Sequence, residues 1–195
     1  WFGAKSRQVT SISVSDFGER ERTSQRVIVD LLVHLQYADG ADERYYLPLS
    51  ASLVERIPGD VRDQPGRAIL LLETAGQRWL LHEAIWAEGF IANLVRQALS
   101  GGHVQMQHGL LAGTATAPPP RALDTTEVRL LGVEQSNTSA LIGRELVLKA
   151  FRRLEPGTNP ELEVSRFLTE RTAFRGMPPL FGYLEYRRIA SAADP

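Results

Sequence analysis

An α+β fold built mostly of antiparallel strands is what this 195-residue sequence predicts. Three observations carry it. Segments with strand period are joined by short turns, only two segments have helical period, and a triple proline divides the chain.

The elements follow in order. "VTSISV", residues 9–14, alternates apolar and polar side chains as a half-buried strand does. "RVIVDLLVHLQY", 26–37, is a longer strand rich in β-branched residues, and Asp39-Gly40 centres the turn after it. "RYYLPLS", 44–50, reads as a third strand, with Pro48 suggesting an edge position. "RAILLLET" and "RWLLHEA" flank "AGQ" as a hairpin. "AIWAEGFIANLVRQALSGG" has helical period, with Gly101-Gly102 as its stop, so a helix is predicted from about Ile85 to Leu99. Residues 113–124, "GTATAPPPRALD", cannot continue a helix or central strand through three prolines, which places a linker there. Beyond it, "EVRLLGVEQ" reads as a strand, "SNTS" as a polar turn, and "ALIG" and "LVLKAFRR" as strands. "NPELEVSRFLTERTAF" reads as a helix and "FGYLEYRR" as a short last strand. That helix has strong start chemistry: Asn159 as cap, Pro160 at the first position, and Glu161 and Glu163 in the first turn.

Composition excludes several function classes. With 43% apolar and 23% charged residues a core of ordinary size can be buried, and a net charge of -1 creates no field that would draw the chain to nucleic acid or an anionic membrane. The absence of cysteine excludes disulfides and thiolate metal sites. His34, His82, His103 and His108 lack metal-like spacing with acids and read as surface or satisfied core residues. No metal site is therefore expected. No nucleophile-elbow motif supports serine catalysis, and Trp79 and Trp86 read as core packing. A chain without a signal peptide or a long apolar run is expected to be cytoplasmic. It opens on "WFGAKSR" without methionine and closes on "SAADP", as if cut from something longer.

The chemistry centres on a lysine. Of the 22 basic residues only Lys5 and Lys149 are lysines. On its strand Lys149 shares a face with Val147 and Phe151, while Leu146, Leu148 and Ala150 point the other way. A lysine among apolar neighbours is either an edge-strand gatekeeper with a snorkelling stem or a cation held by an acid and a phosphate. The helix that follows offers the acid. Its apolar stripe is Val164, Phe167 and Leu168, and Glu163 stands one i+4 step before Phe167, on the expected inward edge. Glu163 could equally serve only to complement the helix dipole. The loop "QSNTS" contains Ser136, Asn137, Thr138 and Ser139, whose N–H and hydroxyl groups could cover phosphate oxygens, although most such stretches are plain hairpin tips. No Walker-type or G-x-G-x-x-G motif occurs at this loop.

The combination is stronger than its parts. A polar loop, a lysine strand and a helix with acids, in that order, is the arrangement of a kinase small lobe. "VEQSNTSALIGRELVLKAFRRLEPGTNPELEVSRFLTE", 133–170, closely resembles the corresponding segment of bacterial maltokinases, which occur alone or fused behind trehalose synthase, and "WFGAKSR" resembles their start. Between residues 9 and 124 the match is one of strand order. The resemblance implies an antiparallel-sheet cap with one helix over residues 1–112, a linker at 113–124, and at 125–195 an incomplete small lobe of the type shared by protein kinases and aminoglycoside phosphotransferases. It implies ATP-dependent phosphorylation of maltose to maltose 1-phosphate for α-glucan and glycogen synthesis. Ser136, Asn137, Thr138 and Ser139 would cover the nucleotide phosphates, Lys149 would hold them, and Glu163 would pair with Lys149. The catalytic base and the Mg2+ ligands of the family lie in a large lobe, and no His-Gly-Asp stretch occurs here, so these residues alone are not expected to catalyse transfer. Two alternatives stay open: a non-catalytic cap module docking on trehalose synthase, and a related kinase acting on another sugar such as glucosamine.

Overall fold

The structure is a computed structural model that describes residues 6–57, 61, 65–118, 125, 127–133 and 137–189. It is a mixed α+β fold, mostly antiparallel sheet, with two α-helices among the described residues.

The largest sheet is organised on the long strand β2 (Arg26–Tyr37). Strand β1 (Val9–Arg22) pairs with one edge of β2 over nearly its whole length. The other edge forks. Its C-terminal half pairs with β3 (Asp42–Tyr46), and its N-terminal residues pair with β4 (Leu49–Leu53). The predicted third strand is therefore two strands. Pro48 lies between them and is fully buried rather than at an exposed edge. A strand needs its N–H for the ladder, and proline lacks one, so the chain changes partner there. The hairpin β5 (Ala68–Thr74) and β6 (Gln77–Glu83) extends the β4 branch through β6.

Helix α1 (Phe90–Ser100) is shorter than the period suggests. Gly89 takes a left-handed conformation at φ 76°, which separates the helix from a 3-10 turn at Ala84–Trp86. At the other end Gly101, φ 70°, stops the helix and returns its N–H to the Gln97 carbonyl, as a left-handed cap does. Strands β7 (His103–Gln105) and β8 (Gly109–Ala115) follow, and β8 runs three residues into the segment expected as linker. Gly113 is required there: a Cβ would stand 2.1 Å from the Gln97 carbonyl oxygen.

Strands β9 (Val128–Val133), β10 (Asn137–Ile142) and β11 (Leu146–Phe151) form a second antiparallel sheet. A two-residue strand β12 (Arg153–Leu154) joins β3 of the large sheet. Helix α2 (Pro160–Arg171) begins as predicted: the Asn159 side chain accepts from the backbone N–H groups of Glu161 and Leu162. Strand β13 (Gly182–Arg188) pairs with β8 over seven residues. Strands from both sides of residues 113–124 thus share two sheets.

The main core does the same. Phe90, Ile91, Leu94 and Val95 of α1 pack with Ile28 of β2 and with Ala140 and Ile142 of β10. Buried ionic groups among the described residues include two that matter for the site. Asp30, on β2, accepts from Arg20 Nε at 2.9 Å and from the Tyr46 hydroxyl at 2.6 Å. Burial pushes the Asp30 carboxyl up, against the pull of Arg20 and Tyr46. The second group is Arg152, whose side chain is 1% exposed. It donates to Glu83 Oε2 at 2.7 Å and to the Thr138 hydroxyl at 3.1 Å.

Candidate functional site

The site begins with the alternation of β11. Leu146 and Leu148 pack toward the α1 core, as the period requires, so Val147, Lys149 and Phe151 occupy the outer face. Register places Ser139 of β10 directly opposite Lys149, and Leu141 opposite Val147. Cross-strand partners share a face, so Ser139 and Lys149 stand side by side. Val147 is 63% exposed and Leu131, on β9, is 47% exposed. Lys149 therefore has an exposed apolar neighbour, Val147, on its own face, and Ser139 beside it.

The ammonium is anchored. Lys149 Nζ donates to Glu161 Oε2 at 2.6 Å and lies 5.3 Å from the centre of the Phe151 ring. The lysine side chain is 35% exposed and the glutamate 54%. A pair this open contributes only ~0.2–1 kcal/mol to stability, so it does not hold the fold together. What it does is fix the ammonium on the outer face of β11. The cation is held by an acid, as one of the two readings of the sequence expects, but at the surface rather than enclosed among its apolar neighbours.

The acid is corrected. The sequence pointed to Glu163, but the structure pairs Lys149 with Glu161. The reason lies in the helix. Val164 and Phe167, taken as the inward stripe, are 55% and 58% exposed. The half-buried side of α2 is Leu162, Ser165, Leu168 and Thr169, and Glu161 borders that row. Glu163 is exposed, and its backbone N–H bonds to the Asn159 carbonyl.

The polar loop is redistributed too. Asn137, Thr138 and Ser139 belong to β10 rather than to a turn. Thr138 is 1% exposed, on the core face, where its hydroxyl accepts from Arg152. Its side chain is therefore not on the face of Lys149. Asn137 is buried, opposite Phe151, and Ser139 is half-buried. Ser136 lies outside the described residues. Of the six predicted site residues, Lys149 and Ser139 are brought together, and the carboxylate comes from the neighbouring Glu161.

Among the described residues no group of three His, Asp or Glu side chains is placed to hold a metal ion. No described helix is long and apolar enough to cross a membrane. In comparison with known proteins, no family model matches the chain.

Proposed function

We propose that the chain is the amino-terminal portion of an ATP-dependent sugar kinase that makes maltose 1-phosphate, and that the outer face of β9–β11 receives the nucleotide. The observation that carries this reading is the ion pair of Lys149 with a carboxylate in the first turn of the next helix, beside the exposed Val147. A nucleotide needs both features: an apolar surface for the purine ring and a compact cation for its phosphates. An ammonium carries three donors, and Glu161 uses one, which leaves two for phosphate oxygens. Ser139 adds a hydroxyl on the same face. Glu161 keeps the lysine stem on that face, so less side-chain freedom is lost when the nucleotide arrives.

In the reaction the anomeric hydroxyl of the sugar forms a bond to the γ-phosphorus as the bond to the β-phosphate oxygen breaks, and ADP leaves. The residues described here would bind and orient the phosphates, and the resemblance assigns the proton-accepting base to a large lobe. The test is phosphoryl transfer by the full-length protein, followed by 31P NMR with ATP and a panel of maltose, glucose and glucosamine. A new phosphomonoester signal with maltose supports the proposal. Transfer to glucosamine instead would move the substrate, and no transfer to any sugar would overturn it.

A further inference from the structure

Arg152 stands between β11 and β12, where the chain leaves the smaller sheet for the large one. It continues the core-face period of Leu146, Leu148 and Ala150, so its guanidinium enters the body while Lys149 faces out. The side chain is 1% exposed. From there it reaches strands of both sheets. Nε donates to the Thr138 hydroxyl of β10 at 3.1 Å, Nη2 to Glu83 Oε2 at the end of β6 at 2.7 Å, and Nη1 to the Tyr46 carbonyl of β3 at 3.5 Å. The Tyr46 N–H returns a 2.7 Å bond to the Arg152 carbonyl. Desolvation offsets much of the Coulombic gain of a buried pair like this one. A planar fork held by several acceptors, by contrast, fixes direction.

What the fork fixes is the register behind Lys149. Thr138 precedes Ser139 on β10 and stands opposite Ala150, and Ser139 stands opposite Lys149. The bond from Arg152 to Thr138 therefore ties the end of β11 back to β10 on the inner side, next to the residue pair presented on the outer side. Glu83 and Tyr46 belong to the large sheet. We propose that Arg152 is a positioning residue for nucleotide binding. Pinned by Thr138, Glu83 and Tyr46, it holds Ser139 and Lys149 at one spacing, and it makes the affinity of their face depend on Glu83, a residue of another sheet. This role rests on the outer face of β9–β11 being the nucleotide site. The large sheet is then part of the frame of that site rather than a separable cap.

Isothermal titration calorimetry of ATP with the full-length protein tests this, at a temperature where thermal unfolding shows every variant folded. Thr138→Val keeps the shape of the side chain and removes the acceptor for Nε, so it weakens ATP binding by about fivefold or more. Thr138→Ser keeps the hydroxyl and stays within about twofold of wild type. Glu83→Gln, which neutralises the carboxylate on Nη2, weakens ATP by about fivefold or more. Leu35→Ala lowers stability from the separate core cluster of Val33, Tyr37 and Tyr45, and leaves ATP affinity within about twofold of wild type. Valine and serine variants that bind alike overturn the positioning role. So does Glu83→Gln at wild-type affinity, or a Leu35→Ala variant that loses as much as Thr138→Val. If Lys149→Ala weakens ATP while Thr138→Val and Glu83→Gln do not, the nucleotide face stands and the role of Arg152 falls. A wild-type protein that does not bind ATP overturns both.

Discussion

The ion pair between Arg152 and Glu83 gives the sharpest stability prediction. Arg152 follows β11, and Glu83 ends β6, so the pair ties the sheet that carries Lys149 to the large sheet. The guanidinium is 1% exposed and the carboxylate 18%. Replacing Glu83 by leucine removes the carboxylate 2.7 Å from a buried cation, a change that costs about 3–5 kcal/mol. Arg152→Met leaves a carboxylate with some access to water, so the low end, about 3 kcal/mol, is expected. For a chain of this size about 3 kcal/mol corresponds to a fall in Tm of about 6–12 °C. The double variant E83L/R152M removes both charges. What remains includes the loss of the bonds to the Thr138 hydroxyl and the Tyr46 carbonyl, so about 1–3 kcal/mol is expected rather than the sum of the singles. Urea unfolding followed by circular dichroism reads all three. Single variants that cost less than about 1 kcal/mol, or a double variant that equals their sum, would refute the argument.

Three further outcomes follow. The Glu161→Gln variant of the full-length protein should lose nucleotide affinity by several-fold while Glu163→Gln changes it little, and the reverse order, read by isothermal titration calorimetry, would restore the residue the sequence favoured. Glu43 accepts from the Tyr37 and Tyr45 hydroxyls; burial alone would raise its pKa, but those bonds and the nearby Arg153 and Arg7 hold it below the usual range. A lowered folded pKa contributes stability that is present above the unfolded value of about 4.3 and is lost as pH falls through the folded value, so Glu43→Gln should flatten the acid limb of a Tm-versus-pH curve. Tyr186, half-buried and donating to Asp16, has its pKa pushed up to about 12, so its phenolate absorbance should emerge well above that of a free tyrosine in a spectroscopic pH titration.

The strands with clean alternation were legible in the sequence, and so was the cap of α2, because both follow from local chemistry. Lys149 fell on the face that its period required. The same period, carried one step further through Leu146, Leu148 and Ala150, puts Arg152 on the core face, where the structure buries it. That signal was present and went unused. Glu161 was missed for a different reason. Both first-turn acids suit the helix dipole, and choosing between them needed the side of α2 that meets the sheet. The apolar stripe misled here, since Val164 and Phe167 are exposed. Strands β7 and β8 were hidden because their partners lie far along the chain: β8 pairs with β13, about seventy residues later. The polar string at 136–139 looked like a turn by composition, while the ladder with β11 draws Asn137, Thr138 and Ser139 into a strand.

The most direct measurement of the central claim is Lys149→Ala in the full-length protein, with kcat, KM for ATP and thermal unfolding measured together. The pair with Glu161 is too exposed to matter for stability, so Tm should stay within a few degrees of wild type. Phosphoryl transfer to maltose should fall by orders of magnitude. A folded variant that transfers phosphate at the wild-type rate would contradict the account.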